Sequence, residues 1–480
     1  MAYQRINYRE DFISRENLEK IHEHSLLILE EVGVIFEDER ALDALKSRGA
    51  KIEGSIAYIP RSLVEESLKL APSSFTLKNK GRDIQIGGGA DPFLLPWGLS
   101  VFINDKGDIR KLNNKDMIDF FKLTDSSPVL SGHTNFNLHN RETYTQEQYD
   151  FGHLALAYKY ANKPCFVTGE YHDINKFYEC FDIIRRFNGL DKIQDAQLAM
   201  LRMNPLSPLT YDAMGVQFLL AACDMNQPVM MAPCAMPGLT TAPTLVGSIA
   251  VCNAEVLAGI TLAQVIKPGT PVLYGNTSGS SDLRYVQPAS GAPEAALVAV
   301  CTTALGHELY NLPVRAGGGM SDAVDTDYQA GSETAYMMMA TMAARPDWIF
   351  HTVGHMGCYN LVSLEKQVLD EENIVIQNRF QRGINFDDKQ FCHDMVKKVG
   401  PRGSYLEIHH SKIFRENFVI HKSYNKKDPS KWVSDGSVSV KDAAYDTAIK
   451  RISDWTPPVL DKEQLSVLDP YLPEEYKNEI

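Results

Sequence analysis

Polar and aromatic residues recur in this chain at places where short apolar runs end. In repeating α/β proteins such places meet at one edge of the sheet, and the loops that begin there carry the chemistry. Their side chains could bond a ligand, bind a metal ion or present an aromatic face. The residues are His133, Asn135, Glu170, Tyr171, Asn204, Cys234, Gly275, Asn276, Ser278, Gly317–Met320, His351 and His355.

Acid–base and covalent catalysis are poorly provided for in this set. It holds no convincing pair of spaced carboxylates, no nucleophile elbow and no lysine at a run end that could form a Schiff base. The residue types therefore argue against reactions that depend on a protein nucleophile or on a strong general acid.

One spacing is typical of metal sites. His351, His355 and Cys358 form the pattern H-x3-H-x2-C. Ligands at i and i+4 share one face only on a continuous helix, and Gly354 and Gly357 interrupt any helix there. We therefore expect no metal ion bound by the chain itself.

The apolar runs predict the elements that position these residues. Each run is rich in Val, Ile or Phe, and a stretch of ~15–25 residues that suits a helix follows it. Strand–helix alternation indicates a parallel sheet, and seven visible units with one missed favour a closed (β/α)8 barrel, a TIM barrel, over an open doubly wound sheet. Gly87–Gly89 has no helix after it, so a dinucleotide site is not supported. The runs are 129–133, 165–168, 196–203, 229–232, 272–274, 314–316 and 348–351.

The two ends of the chain depart from this alternation. Residues 1–95 read as a cap of amphipathic helices (15–32 and 37–48) followed by alternating strands, and residues 96–423 as the barrel. From residue 424 the composition turns to Lys, Asp, Pro and Ser, which predicts an extended C-terminal tail, 424–480, with one or two helices.

Composition excludes several classes of protein. The chain has 480 residues, 44% of them hydrophobic, so it can bury a large core, and its net charge of −13 argues against nucleic acid and anionic membranes as partners. The N-terminus lacks an apolar signal-like stretch, and no uninterrupted apolar window reaches the ~18 residues of a membrane span. We expect a cytoplasmic protein whose eight cysteines are reduced.

Two helix-length stretches carry few charges. They are residues 244–266 and the stretch that opens at Pro293 and Glu294. A helix that is apolar on most sides is buried on most sides. We expect the barrel to cover one side and a second subunit to cover the other, which predicts a homo-oligomer.

Five segments between residues 204 and 322 resemble the trimethylamine methyltransferase superfamily. They keep the order found there, and the likeness extends from about residue 204 to residue 370. Ordinary residues occupy His355–Gly357, where the archetype of that family carries pyrrolysine, so the chain is identified as a member without pyrrolysine. The segments are NPLSPL (204–209), NAEVLAG (253–259), KPGTPVLYG (267–275), GAPE (291–294) and GGGMSD (317–322).

The resemblance implies a function. Relatives without pyrrolysine move a methyl group from a quaternary amine to the Co(I) of a corrinoid (cobalamin-type) cofactor carried by a separate protein, and a tertiary amine is released. It implies a cognate corrinoid protein as partner and glycine betaine as the favoured substrate, with dimethylglycine as product. Proline betaine, carnitine and γ-butyrobetaine remain open, as do a (β/α)8 lyase or aldolase and a non-catalytic betaine-binding barrel.

A quaternary ammonium donates no hydrogen bond, so aromatic faces and negative potential must hold it. Trp97 is the first candidate ring, and Glu170 could face the ammonium or pair with an arginine. A betaine carboxylate needs a cation or N–H donors, for which Arg315, His351 and His133 are the candidates. Asn204 and Asn276 could fix loops or bond that carboxylate. The further candidate rings are Phe136, Tyr171, Tyr274, Phe350 and Tyr359.

A second group of residues could face the corrinoid. Gly317, Gly318 and Gly319 lack side chains, which would let a large ring come close to the backbone, or they could form a tight turn before a helix. His355 and Gly357 stand where the resemblance places the reacting centre, so we expect them on the corrinoid approach as well.

Overall fold

The structure is a computed structural model, and it describes residues 13–79, 81–134, 138–139, 141–166, 171, 173–407 and 411–477. Elements are numbered in chain order. The strands are β1 Val34–Phe36, β2 Lys51–Glu53, β3 Ile56–Tyr58, β4 Ser74–Asn79, β5 Arg82–Gly87, β6 Phe93–Leu94, β7 Phe102–Asp105, β8 Asp108–Lys111, β9 Leu201–Met203, β10 Thr210–Tyr211, β11 Val229–Met231, β12 Val272–Gly275, β13 Ser280–Asp282, β14 Gln287–Ala289, β15 Val314–Gly317, β16 Trp348–Phe350, β17 His355–Met356 and β18 Leu361–Val362.

The helices lie between these strands and after them. They are α1 Arg15–Leu27, α2 Glu39–Ser47, α3 Arg61–Leu70, α4 Asn114–Asp125, α5 Gln146–Tyr160, α6 Ile174–Phe187, α7 Ala213–Asp224, α8 Leu245–Ile266, α9 Pro293–Ala304, α10 Tyr328–Ala344, α11 Leu364–Gln381, α12 His393–Val399, α13 Ser411–Asn417, α14 Pro429–Ser434, α15 Val440–Ser453, α16 Lys462–Leu468 and α17 Glu474–Lys477.

Parallel strands form a closed barrel. Six of them pair in the order β6, β16, β15, β12, β11, β9. Two short segments complete the ring: the Ser131 N–H donates to the Leu94 carbonyl, His133 bridges to Cys165 in parallel, and the Met200 N–H donates to the Phe166 carbonyl. Each of the eight strands is followed by one of the helices α4 to α11, which confirms the predicted (β/α)8 barrel.

The strand that the sequence pattern missed is β6. It has two residues, Phe93 and Leu94, and pairs with β16 on one side. A two-residue strand is too short to show periodicity. It precedes residue 96, where the barrel was expected to begin, and the division into 1–95, 96–423 and 424–480 stays a prediction.

Aromatic side chains fill the barrel interior. Phe93, Phe166 and Trp348 point inward and meet at its centre, with ring centroids 4.7 to 6.0 Å apart. Below them the hairpin β4–β5 places Phe75 and Leu77 in the same cluster. One end of the barrel is therefore closed by the chain's own hairpin, and the site can lie only at the other end.

The N-terminal cap packs on the outside of α8. Helices α1, α2 and α3 all contact this helix, and the cap strand β1 pairs with β10, which follows the barrel strand β9. By length and composition α8 could cross a membrane, but 83% of its apolar window is buried inside the fold, as in a core helix. The side of α8 that was expected to meet a second subunit is thus covered by the cap, which corrects that part of the sequence interpretation.

The C-terminal extension is more regular than the predicted tail. Helices α14 to α17 lie in it, and α15 packs against α11 and α4. Arg451 on α15 forms a bidentate ion pair with Glu371 on α11, at 2.7 and 3.0 Å. The buried residues of α15, Ala444 and Ala448, are few and stand among charged residues. For this reason the sequence shows no clear helical period of apolar residues there.

Candidate active site

Arg315 is buried inside the barrel near the open end. Arg315 lies in the middle of β15 and is 2% exposed. Its Nη1 donates to the Asn276 carbonyl at 2.9 Å, and its Nε has no hydrogen-bond partner among the described residues. On the neighbouring strand Gly275 leaves room for it, since a Cβ there would come within 3.2 Å of the arginine stem.

An ion pair with Glu170 or Asp322 would neutralise Arg315. The Asp322 carboxylate instead accepts hydrogen bonds from Ser290 and from the backbone of Gly291. Glu170 lies outside the described residues. Burial lowers the pKa of Arg315 to about 10, and Tyr359 opposes this effect. The side chain is therefore still a cation at neutral pH.

The space around Arg315 opens to solvent. Cys234 follows β11 and is exposed to solvent. The protein atoms around it nevertheless raise the pKa of its thiol by burial. Cys234 therefore lies deep within the protein at a place that water reaches. Arg202, in the middle of β9, lowers the pKa values of Arg315 and His351 through its charge. Two cationic side chains thus share this end of the barrel.

Four rings form a wall beside Arg315, and we call Phe350, His351, His355 and Tyr359 the ring wall. The Arg315 Cζ lies 5.7 Å from the centre of the Phe350 ring. His351 is 4.7 Å from Phe350 and 5.0 Å from His355, and Tyr359 is 4.8 Å from His355, each pair edge to face. The Tyr359 hydroxyl donates to the Thr277 carbonyl at 3.1 Å, which fixes its ring.

The two imidazoles of the ring wall are neutral at physiological pH. Burial lowers the pKa of His355 to about 3, with a further contribution from Lys366, and it lowers the pKa of His351 well below its usual range. Neither ring nitrogen of His355 has a hydrogen-bond partner in the described chain, nor has Nδ1 of His351. The two imidazoles therefore present aromatic edges and nitrogen atoms without hydrogen-bond partners, and they carry no charge.

The backbone of the ring wall is strained. His351, Cys358 and Tyr359 have φ values of 56°, 52° and 74°, in the left-handed region that side chains with a Cβ avoid. Such conformations persist where the surroundings impose them, and they cluster at functional sites. Asp370, which is buried 2.6 Å from the Lys366 ammonium, accepts the Gly354 N–H at 2.8 Å and holds the backbone between His351 and His355.

Three predicted site residues point away from this site. The His133 ring lies 2.7 Å from the Asp125 carboxylate on α4, Tyr274 donates to Asn253 on α8, and Tyr171 packs between Phe151 and Phe177. His133 and Tyr274 face the helix layer because neighbouring residues of a strand alternate between the two faces of the sheet. They hold the barrel to its helices and do not touch Arg315.

Trp97, the first candidate ring, lies behind the ring wall. It is 2% exposed, and its ring meets Phe120 of α4 edge to face at 4.8 Å. A Cβ on Gly354 would come within 2.9 Å of the indole. The cavity beside Trp97 has a volume of about 20 Å³, which holds a water molecule. A trimethylammonium group is larger than that.

The remaining predicted residues are scattered. Asn204 is exposed and lines a cleft of about 240 Å³ with Arg202, Asp212 and Phe218. The Asn276 side chain accepts from the Ser278 N–H while its carbonyl accepts from Arg315, so it supports the loop and the arginine. Phe136 lies outside the described residues.

The glycines predicted to face a corrinoid are packed against their own chain. Gly317, Gly318 and Gly319 are buried, and the Gly318 N–H donates to the Phe350 carbonyl. A Cβ on Gly318 would come within 2.9 Å of Ile349, and one on Gly319 within 2.6 Å of the Thr352 carbonyl. The contact of all three and of Gly357 with a corrinoid stays a prediction.

Metal ligation has no cluster to support it in the described part of the chain. There, no group of three or more His, Cys, Asp or Glu side chains is placed to hold a metal ion. Cys358 points toward Asp322, and burial followed by that carboxylate raises the pKa of its thiol to about 12, so it is a thiol rather than a thiolate.

Arg202 is the residue that the sequence interpretation missed. It stands between Leu201 and Met203 in a strand, as Arg315 stands between Val314 and Ala316. A charged residue inside an apolar strand of a barrel must point into a polar part of the interior. This signal was present in the sequence and would have found both arginines.

Comparisons with known proteins agree with this architecture. Three curated relatives match over nearly all of both chains: the proline betaine:corrinoid methyltransferase of Eubacterium limosum (34% identical; 98% of this chain and 99% of the relative), the L-carnitine:corrinoid methyltransferase of Eubacterium limosum (31%; 98% and 98%), and the glycine betaine methyltransferase of Desulfitobacterium hafniense strain Y51 (32%; 94% and 94%).

Among solved structures, the chain is similar in fold to the monomethylamine methyltransferase MtmB of Methanosarcina barkeri. The TM-score is 0.52 at 10% identity, covering 91% of this chain and 86% of that one. The family model for trimethylamine methyltransferase (MTTB) matches residues 3–478. The chain therefore belongs to the trimethylamine methyltransferase family, among its members without pyrrolysine.

Proposed function

We propose that the chain transfers a methyl group from a betaine, a quaternary ammonium that carries a carboxylate, to the cobalt of a corrinoid held by a separate protein. Arg315 carries this proposal. It is a buried cation in the barrel beside four aromatic rings, and no described carboxylate neutralises it. The substrates that name the three relatives are all quaternary ammonium carboxylates.

The carboxylate half of such a substrate suits Arg315. The Nε atom is buried without a partner, and a buried polar group is costly unless it is bonded. A bound carboxylate would accept from the guanidinium and repay that cost. A simple methylamine has no acceptor to offer, so this site favours betaines over trimethylamine.

The ammonium half suits the ring wall. Aromatic faces attract a quaternary ammonium by about 0.5–2 kcal/mol per ring. Neutral imidazoles add no repulsion, which protonated ones would. We place the methyl groups against Phe350, His351 and Tyr359, with the leaving methyl toward the open end.

The chemistry requires little more than this placement. The cobalt(I) electron pair attacks the methyl carbon, the carbon–nitrogen bond breaks, and its electron pair stays on nitrogen. The products are methyl-cobalt(III) and a neutral tertiary amine, so no proton moves. Holding the methyl group in line and excluding water are the tasks left to the protein.

A corrinoid protein would have to dock at the open end, and apolar residues are exposed there. They lie in the loops and helix starts that follow β9, β11, β12 and β15, so they surround the mouth. Tyr328 is 90% exposed and Tyr285 69%. The others are Leu206, Leu239, Val246, Leu283, Val286 and Val324. We propose that these residues contact the corrinoid protein.

Within the betaines we propose glycine betaine first, as the smallest molecule that offers both halves. The test mixes the purified chain with a Co(I) corrinoid on a carrier protein and with glycine betaine, proline betaine, carnitine, γ-butyrobetaine or trimethylamine in turn. The visible spectrum is expected to change to that of methyl-cobalt(III) with a betaine and not with trimethylamine. Conversion with trimethylamine alone would refute the role of the carboxylate.

Arg315→Met tests the recognition directly. Loss of a charged hydrogen bond of about 1.5–3 kcal/mol predicts a Kd for the betaine that is roughly 10 to 100 times higher, measured by calorimetry. Arg315→Lys keeps the charge and should lose less. A melting temperature for each variant separates a binding defect from a folding defect, and an unchanged Kd in a folded Arg315→Met variant would remove Arg315 from the site.

A further inference from the structure

One stretch of the chain has no buried residue among those that the structure describes. We call residues 382–407 and 411–418 the arm; it follows α11 and contains α12 and α13. None of its described residues is buried, and neither helix has a substantial packing contact with another element. Both helices have seven residues, and helices this short are not stable in water without tertiary contacts.

The arm is nevertheless rich in large apolar side chains. Leu406 is 93% exposed, Phe386 71% and Phe391 63%. Side chains of this size leave on the order of 1,000 Å² of apolar surface, more than the ~300–600 Å² patch of an ordinary monomer. It also matches the ~800 Å² that each partner buries in a stable complex. The other exposed ones are Ile384, Val396, Tyr405, Ile413, Phe414 and Phe418.

The base of the arm is fixed to the barrel. Arg379, near the end of α11, donates from Nε to the Asn417 carbonyl at 2.7 Å and from Nη1 to the Gly383 carbonyl at 2.8 Å. The Arg379 guanidinium thus binds both ends of the arm. The arm therefore leaves the barrel and returns to it at one fixed place, the end of α11.

The position at which the arm leaves α11 indicates which partner it can reach. Helix α11 starts beside the β17–β18 hairpin at the barrel mouth and runs for 18 residues, so its far end lies about 27 Å away from the mouth. If the proposed function is right, the corrinoid protein must occupy the mouth. The arm starts at the opposite end, which favours a different occupant.

Charge indicates which partner fits. The arm has seven Lys and Arg against five Asp and Glu, a net charge of +2, so the rest of the chain carries −15. A weakly basic apolar arm and a strongly acidic body of the same molecule are complementary. We propose that the arm packs on the body of a second copy of this chain, and that two copies exchange arms about a twofold axis.

The test is the oligomeric state of the full chain at micromolar concentration, by sedimentation velocity. The wild type is expected at twice 53.7 kDa. Phe391→Glu/Leu406→Glu places charges on two exposed arm residues, so it should leave the fold intact and give monomers. Val459→Glu is the matched control, because Val459 is fully exposed outside the arm, and this variant should remain dimeric.

A monomeric wild type would overturn the proposal, as would a double variant that stays dimeric. Lys397→Glu/Lys398→Glu should weaken self-association by about tenfold at low salt, since it reverses charge without removing apolar area. A double variant that is defective only in binding the corrinoid protein would assign the arm to that partner instead. Methyl transfer measured on the same samples keeps this result separate from the proposed function.

Discussion

Arg315 and the imidazoles beside it show what burial does to charge at the level of single residues. The guanidinium remains protonated because its pKa falls only to about 10, whereas His351 and His355 lose their protons because an imidazole starts near 6.5. The same low-polarity surroundings therefore produce one cation and two neutral rings. A zwitterionic ligand requires this division, because each of its ends needs a different neighbour.

This division predicts a flat pH profile for betaine binding. A folded-state pKa of about 3 for His355 means that neither acidification to pH 6 nor a rise to pH 8 changes its charge, and the pKa of His351 lies further from that window than an ordinary imidazole's. The Kd measured by calorimetry should vary by less than about twofold from pH 6 to 8. A titration midpoint near 6.5 that disappears in His351→Gln would contradict the buried, neutral state.

Neighbouring elements decide which residues of a strand can act. Val272, Leu273, Tyr274 and Gly275 alternate between the helix layer and the barrel interior, so Tyr274 faces α8 although it stands beside the site in sequence. The sequence pattern predicted the strands and their order. A charge such as that of Arg315 marks the inward face of its strand, but uncharged residues such as His133 and Tyr274 carry no such mark, so the pattern does not separate them from His351 and Tyr359.

The glycine run after β15 allows a prediction about packing. Gly318→Ala would press a methyl group against Ile349, Thr352 and Met338 at 2.9 to 3.1 Å, which should cost about 1–3 kcal/mol of unfolding free energy in urea titrations. Gly331→Ala is the control, since a Cβ there would meet no atom within 4 Å beyond the backbone of its own helix, α10. That variant should gain about 0.5–1 kcal/mol.

Equal stability of Gly318→Ala and the wild type would show that the space can adjust. The packing explanation would then fail, and the alternative that this backbone approaches a large ligand would gain weight.

At the scale of the whole molecule, a buried carboxyl group holds the segment that leads into β10, the strand that pairs with the cap. Glu255 on α8 accepts from the Leu209 N–H at 2.8 Å and from the Ser207 hydroxyl at 2.9 Å, just before β10 pairs with β1 of the cap. Burial raises the pKa of this carboxyl from 4.5 to about 7, against the opposing effect of both donors. It therefore binds its proton more tightly in the folded state than in the unfolded one.

The consequence is a stability that falls as pH rises. Between pH 4.5 and 7 unfolding releases the Glu255 proton, so the free energy of unfolding should decrease by about 3 kcal/mol and then level off. Glu255→Gln has no proton to release. The difference between variant and wild type should grow by that amount between pH 4.5 and 8, and parallel curves in urea titrations would show that this carboxyl does not titrate in the window.

The barrel closes through β6 and β16, which are separated by more than 250 residues in the chain. A ribosome that adds roughly 5–20 residues per second needs on the order of tens of seconds to pass from one to the other. Until then the nascent chain holds a cap, a hairpin and an unfinished ring with an open edge. The cell must protect that edge during synthesis, so a codon change that slows translation before Trp348 would lengthen the time during which the nascent chain can aggregate.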